Sequence, residues 1–161
     1  MALIIESPNE VYSLENESNL KIFLAGSITD CEDWQEYVIE KIKHIEGITI
    51  YNPRRENFPI EDPNAAEEQI IWEYKHLKNA DALVFWFDRG SLAPIVLYEL
   101  GKHVNSNKEM PAIIGIDPEY KRKQDVIIQT RLERPNQIFT DNLDELIRYI
   151  SIMKTNPKSF K

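Results

Sequence analysis

Two glutamates in this chain of 161 residues, Glu73 and Glu99, have surroundings that suit acid–base chemistry. Glu73 lies at the margin of an apolar stripe on a predicted helix, where loss of water should raise the pKa of its carboxyl group. Glu99 lies near the start of another predicted helix, where the helix dipole favours the ionised carboxylate. Carboxyl groups in such different environments are typical of sites that move protons. Two plainer interpretations stay open: Glu99 only stabilises its helix, and Glu73 turns to solvent or pairs with Arg54 or Arg55.

Other polar side chains near these glutamates could bind a ligand. Gln69 precedes Glu73 by four residues and so lies beside it on the helix. Arg55 follows the second predicted strand, where it could bind a phosphate or pair with a surface carboxylate. Gly26 and Ser27 alone are too short a pattern for a phosphate-binding loop, and the sequence has no glycine-rich nucleotide motif. These residues are therefore binding candidates without a motif that identifies the ligand.

The elements that position the candidates alternate between strands and helices. Apolar runs predict five strands, at residues 20–25, 48–51, 81–87, 112–116 and 138–140. Helical spacing and capping residues predict five helices, between residues 30 and 47 and at 65–80, 94–105, 125–134 and 142–153. This alternation predicts a single-domain α/β fold with a flavodoxin-like, doubly wound sheet of five parallel strands in the order 2-1-3-4-5. We assign the domain to residues 20–153, with an irregular N-terminal arm at 1–19 and a loose C-terminal tail at 154–161.

In a doubly wound sheet, ligands bind beyond the carboxyl ends of the strands, where the strand order reverses. That place lies here between the loops that follow the first and third predicted strands. We expect the site to include the following residues of these loops: Gly26, Ser27, Ile28, Asp88 and Ser91. Glu99 belongs to the helix after the third strand and so lies beside the same crevice. Gly101, inside that helix, indicates close packing of the helix on the sheet.

Composition narrows the function classes. Lys and Arg number 19 against 27 Asp and Glu, which gives a formal net charge of −8. This balance argues against binding to a nucleic-acid polymer or an anionic membrane, since both need clustered positive charge. The single cysteine, Cys31, excludes an internal disulfide, and three scattered histidines predict no metal site. With no membrane-spanning apolar run and no signal peptide, we expect a cytoplasmic protein without a cofactor.

Five segments occur in this order along most of the chain: KIFLAGSI, YNPRR, EEQIIWEYKHLKNAD, LYELGKH and IGIDPEYKRKQDV. Taken together, they resemble a short branch of the nucleoside 2-deoxyribosyltransferase-like family. The resemblance implies a flavodoxin-like fold, a glutamate nucleophile at the anomeric carbon of a sugar, and an acid at the departing base. The nucleophile corresponds to Glu99, in the motif that ends in Leu100 and Gly101. The acid corresponds to Glu73, where relatives usually carry aspartate.

The resemblance therefore implies cleavage or exchange of the N-glycosidic bond of a nucleoside or nucleotide. Glu99 would stay ionised and attack the sugar, while Glu73 would protonate the departing base. A second base as acceptor gives transfer, as in a deoxyribosyltransferase, and water gives hydrolysis, as in an N-glycosidase. The base, the sugar and the choice between these outcomes stay open. The alternative function is a non-catalytic module that binds a nucleotide in the same crevice.

The sugar-end residues depart from the family pattern. Relatives place an aspartate or a serine six residues before the nucleophile, and Ala93 stands there in this chain. Ser27, Ser91 and Arg55 could instead bind a phosphate together, which favours a nucleotide as the small-molecule substrate.

The resemblance also implies a homo-oligomer, a dimer or larger. We expect Tyr120, Arg122 and Asp125 to lie near its interface.

Overall fold

The computed structural model describes residues 1–10 and 16–161, which form a sheet with helices on both faces. The strands are β1 Leu3–Glu6, β2 Leu20–Gly26, β3 Ile48–Asn52, β4 Ala82–Phe87, β5 Ala112–Ile116 and β6 Phe139–Thr140. The helices are α1 Trp34–Ile42, α2 Ala65–Asn79, α3 Pro94–Glu99, α4 Lys123–Glu133 and α5 Leu143–Thr155. All strand pairs are parallel, and the strand order is β1-β3-β2-β4-β5-β6.

The central strands bury both faces because each face packs against its own helical layer. Every residue of β4 is buried, and successive side chains point to opposite layers. Phe85 joins the core beneath α2, α3 and α4, whereas Val84 joins the core beneath α1 and α5. This two-sided burial explains why β4 is a continuous apolar run rather than an alternating one.

The sheet has six strands, not the five expected from the sequence. The additional strand, β1, lies inside the stretch 1–19 that was expected to be an irregular arm. It adds to the edge of the sheet beside β3, with Ile4 opposite Ile50. Four residues carry too little periodicity to predict a strand, and this one is stabilised by pairing with a strand far along the chain. Residues 11–15 of the expected arm lie outside the described residues. Without β1, the other five strands follow the expected order, compatible with a flavodoxin-like sheet.

The C-terminal residues are ordered, although they were expected to be a loose tail. Helix α5 continues to Thr155, and a 3-10 turn covers Pro157–Phe160. The Phe160 side chain is buried in the core beneath α1 and α5. Arg134, itself buried, donates a hydrogen bond to the carbonyl oxygen of Phe160 at 3.1 Å. A single aromatic anchor and one buried arginine therefore hold the end of the chain.

The helix that carries Glu99 changes its winding at that residue. Pro94 opens α3, where its missing N–H costs no hydrogen bond, and a π-helical turn, Leu100–Asn105, continues from Glu99. Gly101 is exposed, and a Cβ atom there would contact nothing within 4 Å. The expected close packing at Gly101 is therefore wrong. A π-helical turn is rare and is frequent at functional sites.

Among the described residues, none of the helices has the length and apolar character needed to span a membrane.

Candidate functional site

A cavity of about 700 Å³ opens at the carboxyl ends of β2 and β4, between α2 and α3. This is the crevice expected from the strand order, because the connections from β2 and β4 leave the sheet in opposite directions there. Its floor includes Phe23 and Ala25 of β2, and its walls come from α2, α3 and the loops after β2 and β4. Most of its lining is apolar, so the few polar groups inside it are poorly hydrated.

The loop after β2 is fixed by contacts that need a glycine. A Cβ atom on Gly26 would lie 2.5 Å from the Trp34 ring and 2.6 Å from the carbonyl oxygen of Trp86. Without that atom, Trp34 packs against the strand end and its indole N–H donates to the carbonyl oxygen of Ser27 at 3.0 Å. The Ser27 hydroxyl accepts a hydrogen bond from the backbone N–H of Asp88, which links the two loops of the crevice.

The loop after β4 has a strained backbone where it enters α3. Ala93 has φ 47°, in the left-handed region that non-glycine residues rarely adopt. The Ser91 hydroxyl accepts a hydrogen bond from the N–H of Ala93, and the Tyr120 hydroxyl donates to the carbonyl oxygen of Leu92 at 2.7 Å. These bonds hold the residues that form one wall of the cavity. Tyr120 is itself buried within the chain, and its expected place near an oligomer interface stays a prediction.

Glu73 lines the cavity and is held by a chain of hydrogen bonds. The Gln69 amide donates to the Glu73 carboxylate at 2.7 Å and to the carbonyl oxygen of Pro53 at 2.7 Å. The amide oxygen of Gln69 accepts in turn from the Ser7 hydroxyl. Burial raises the pKa of Glu73, while the Gln69 hydrogen bond and the charge of Arg55 act in the opposite direction. Gln69 thus orients this carboxyl group rather than lining the cavity.

Glu99 lines the same cavity and is the more deeply buried carboxyl group, with 8% of its surface exposed. Burial, and then the negative charge of Glu73, raise the pKa of Glu99 to about 8, and Lys102 opposes them. No residue in the described part of the chain donates a hydrogen bond to its carboxylate. The expectation that the helix dipole keeps Glu99 ionised is therefore wrong. Glu99 is the last residue of α3, beyond the first turn to which the dipole effect is confined.

The expected binding residues fall into two groups. Those that line the cavity are Gly26, Ser27, Ile28 and Ser91. Within the described residues, the lining does not include Arg55, Gln69 or Asp88. The guanidinium of Arg55 bonds to Glu68 at 2.8 Å and to the Ser7 hydroxyl at 3.2 Å. One carboxylate oxygen of Asp88 accepts from the N–H of Gly90.

Of the three residues expected to bind a phosphate together, Ser27 and Ser91 line the cavity, whereas Arg55, in the described part of the chain, does not. The two hydroxyl groups stabilise the loops, and the arginine is paired elsewhere.

Five polar residues at the cavity were not predicted as site residues from the sequence: Thr29, Tyr74, Tyr98, Lys102 and His103. Lys102 and His103 follow Glu99 by three and four residues, a spacing that places all three on one face of a helix. That spacing was available in the motif LYELGKH. In the parts of the chain that the structure describes, no three His, Cys, Asp or Glu side chains are grouped as a metal site requires.

Stability should depend on pH through Glu99. In the unfolded chain its carboxyl group titrates near 4.5, and in the folded chain near 8. Between these values the folded state keeps a proton that the unfolded state has lost, so the free energy of unfolding falls as pH rises. Glu99→Gln has no titrating group at this position, so its free energy of unfolding should not fall in this pH range on account of residue 99. We expect the variant to match wild type near pH 4.5 and to be more stable by about 2–4 kcal/mol above pH 8.

Urea unfolding at several pH values measures this difference. The matched control is Glu67→Gln, which makes the same chemical change at an exposed position of α2. It should leave the pH dependence of wild type unchanged. A difference between Glu99→Gln and wild type that does not grow with pH would contradict a raised pKa at Glu99.

Comparison with known proteins identifies the family of this chain. A search of curated proteins finds no significant match to the chain. The sequence model of the family described as nucleoside 2-deoxyribosyltransferase like matches residues 19–120. The matched range holds both glutamates and both loops of the crevice, and it covers more than half of the chain. The family suggests a nucleoside-related glycosyl transfer role and small-molecule nucleoside binding. The chain belongs to the nucleoside 2-deoxyribosyltransferase-like family.

Proposed function

We propose that the protein is an enzyme that cleaves or exchanges the N-glycosidic bond of a nucleoside, with Glu99 as nucleophile and Glu73 as general acid. The observation that carries the proposal is that both carboxyl groups line one mostly apolar cavity. A sugar placed between them would have one carboxyl group at its anomeric carbon and the other at the departing base. A cavity of about 700 Å³ is large enough for a nucleoside-sized ligand.

The proposed reaction has two steps. In the first, a carboxylate oxygen of Glu99 bonds to the anomeric carbon, the carbon–nitrogen bond breaks, and the proton of Glu73 moves to the departing base. In the second, water or another base attacks the same carbon and loses a proton to Glu73. The bond between that carbon and Glu99 breaks as the new bond forms, and the Glu99 carboxylate is restored. Water yields the free sugar, and a base yields a new nucleoside.

The reaction needs one proton on the pair of carboxyl groups. Two carboxylates in one cavity repel each other, so the pair holds a single proton over a range of pH. The proton resides mainly on Glu99, because burial and the charge of Glu73 raise the pKa of Glu99 to about 8, whereas the Gln69 amide and the Arg55 charge stabilise the Glu73 anion. Reaction requires that proton on Glu73. The reactive form is therefore the minor one.

We further propose a nucleoside without a phosphate as the substrate, in place of the nucleotide favoured at first. Arg55, the cation among the three residues that could have bound a phosphate, pairs with Glu68 instead and, in the described part of the chain, does not line the cavity. Two carboxyl groups in the cavity would also repel a phosphate. The proposal keeps the homo-oligomer, because large apolar side chains around the cavity mouth, such as Ile95 and Tyr98, are exposed.

A substrate panel tests the function. Purified protein is incubated with purine and pyrimidine ribonucleosides, deoxyribonucleosides and their 5′-monophosphates, and free base is separated by chromatography. We expect free base from at least one nucleoside, with a value of kcat/KM at least about tenfold above that of its monophosphate. Addition of a second base distinguishes exchange from hydrolysis. Binding of these ligands, seen by calorimetry, without free base or exchange would instead indicate a non-catalytic binding module.

A further inference from the structure

Lys102 lines the cavity one helical turn after Glu99, and its position is set by two tyrosine rings. Its ammonium nitrogen lies 5.3 Å from the ring centre of Tyr74 on α2 and 5.5 Å from that of Tyr98 on α3. Both rings also line the cavity and are themselves exposed at its mouth. The negative faces of aromatic rings attract a cation at this distance. Two rings from two helices thus hold the ammonium group at the mouth of the cavity.

Within the described residues, the ammonium group of Lys102 lies within 4 Å of no carboxylate, although carboxylates outnumber cations in this protein. The charge therefore acts on the cavity rather than on a surface partner. Lys78 is a useful contrast, since its nitrogen lies 4.8 Å from the Tyr74 ring centre but its side chain is not among those that line the cavity.

The groups that face Glu99 act on its charge in different directions. Glu73 on α2 and the apolar floor from β2 favour the protonated form. Lys102 on the π-helical turn favours the ionised form. The remaining titratable groups of the lining are Tyr74, Tyr98 and His103, and burial lowers the pKa of His103 and so favours its neutral form. Among these groups, Lys102 is the cation that favours charge on Glu99.

We propose that Lys102, held over Tyr74 and Tyr98, is a positioning residue that favours negative charge on Glu99 and thereby raises the share of the form in which the shared proton is on Glu73. This inference rests on the proposed function, since it concerns the form of the pair that reacts. Gln69 and Arg55 act in the opposite direction, because they stabilise the Glu73 anion. Lys102 offsets the effects of Gln69 and Arg55. The distribution of the proton between Glu73 and Glu99 therefore depends on a residue that need not contact the substrate.

Titration of the carboxyl group tests the inference without any need for turnover. Protein with carbon-13 at the glutamate carboxyl groups is titrated by NMR, and Glu99→Gln assigns the Glu99 signal. In Lys102→Met, the pKa of Glu99 should rise by about one unit above the wild-type value, because a cation within reach lowers a carboxyl pKa by that order. Lys102→Arg should restore the wild-type value. Lys78→Met removes the same charge from the neighbouring position and should leave Glu99 unchanged.

The dependence of kcat/KM on pH supplies the second measurement. In Lys102→Met the plateau of kcat/KM should fall about tenfold, because one pKa unit changes the share of the reactive form tenfold. The alkaline limb should move up by about one pH unit, and Lys102→Arg should restore both features. Structural damage would lower the plateau without moving the limb. The inference is overturned if the pKa of Glu99 in Lys102→Met equals the wild-type value, or if Lys78→Met raises this pKa by the same amount as Lys102→Met. Absence of turnover in wild type with the NMR shift present overturns only the proposed function.

Discussion

Replacement of Glu99 by glutamine should lower turnover by several orders of magnitude while the protein stays folded. The amide keeps the size of the side chain but cannot form the covalent bond to the sugar, so the two-step route is lost. Folding should not suffer, because Glu99 receives no hydrogen bond from any described residue and its charge is unfavourable in the cavity. The measurement is kcat/KM for the best nucleoside of the panel, alongside the melting temperature. Glu67→Gln, on the exposed face of α2, is the control and should retain full activity.

Trapping of the intermediate identifies the nucleophile directly. A nucleoside with fluorine at the sugar 2-position slows the second step, so the sugar should accumulate on the enzyme. Mass spectrometry of the digested protein should find it on the peptide that contains Glu99. Sugar on the Glu73 peptide would reverse the two roles. This outcome is informative because Gln69 and Arg55 stabilise the Glu73 anion. Near-normal turnover by a folded Glu99→Gln protein would refute the assignment.

Replacement of Glu73 by glutamine should lower kcat/KM by about 10²–10⁴-fold, which is the typical contribution of general acid catalysis. The loss should be largest for bases that depart poorly, because these need the proton most. Glu73→Gln leaves Gln69 without its carboxylate partner, so the contribution of that hydrogen bond must be separated from the loss of the proton. The control is Gln69→Leu, which removes the hydrogen bond but leaves Glu73 able to donate a proton. Gln69→Glu would not serve, because it adds a charge beside Glu73.

The dependence on the leaving base separates the two effects. In Glu73→Gln, the slope of rate against the pKa of the departing base should become steeper than in wild type. In Gln69→Leu, the rate should fall less, and the slope should stay near that of wild type. An equal loss for good and poor leaving bases in Glu73→Gln would show that Glu73 positions the substrate and donates no proton.

Local sequence patterns determined most of the architecture. Apolar runs such as Ala82–Phe87 predict buried strands, because the length and character of the run depend only on neighbouring residues. The alternation of strands with helices then restricts the sheet to a parallel one with a crevice at a known edge. The order of strands and helices placed Glu99 at this crevice, and helical spacing placed Glu73 at the margin of an apolar stripe. The family resemblance supplied their proposed roles. The structure brings both to one cavity.

Features that depend on distant pairs of residues were decided by the tertiary structure alone. The strand Leu3–Glu6 is stabilised by pairing with Ile48–Asn52, so its own four residues could not predict it. Arg55 could have bound a phosphate, but the structure places it against Glu68 and Ser7 instead.

The protonation state of Glu99 also depends on the tertiary structure. Its pKa depends on burial by a neighbouring helix and on the distance to Glu73, and neither quantity can be found from the spacing of residues along the chain. A sequence fixes which groups are present and which face of a helix they occupy. Water exclusion and charge coupling arise only when separate elements pack together, and these two effects set the proton distribution on which the proposed chemistry depends.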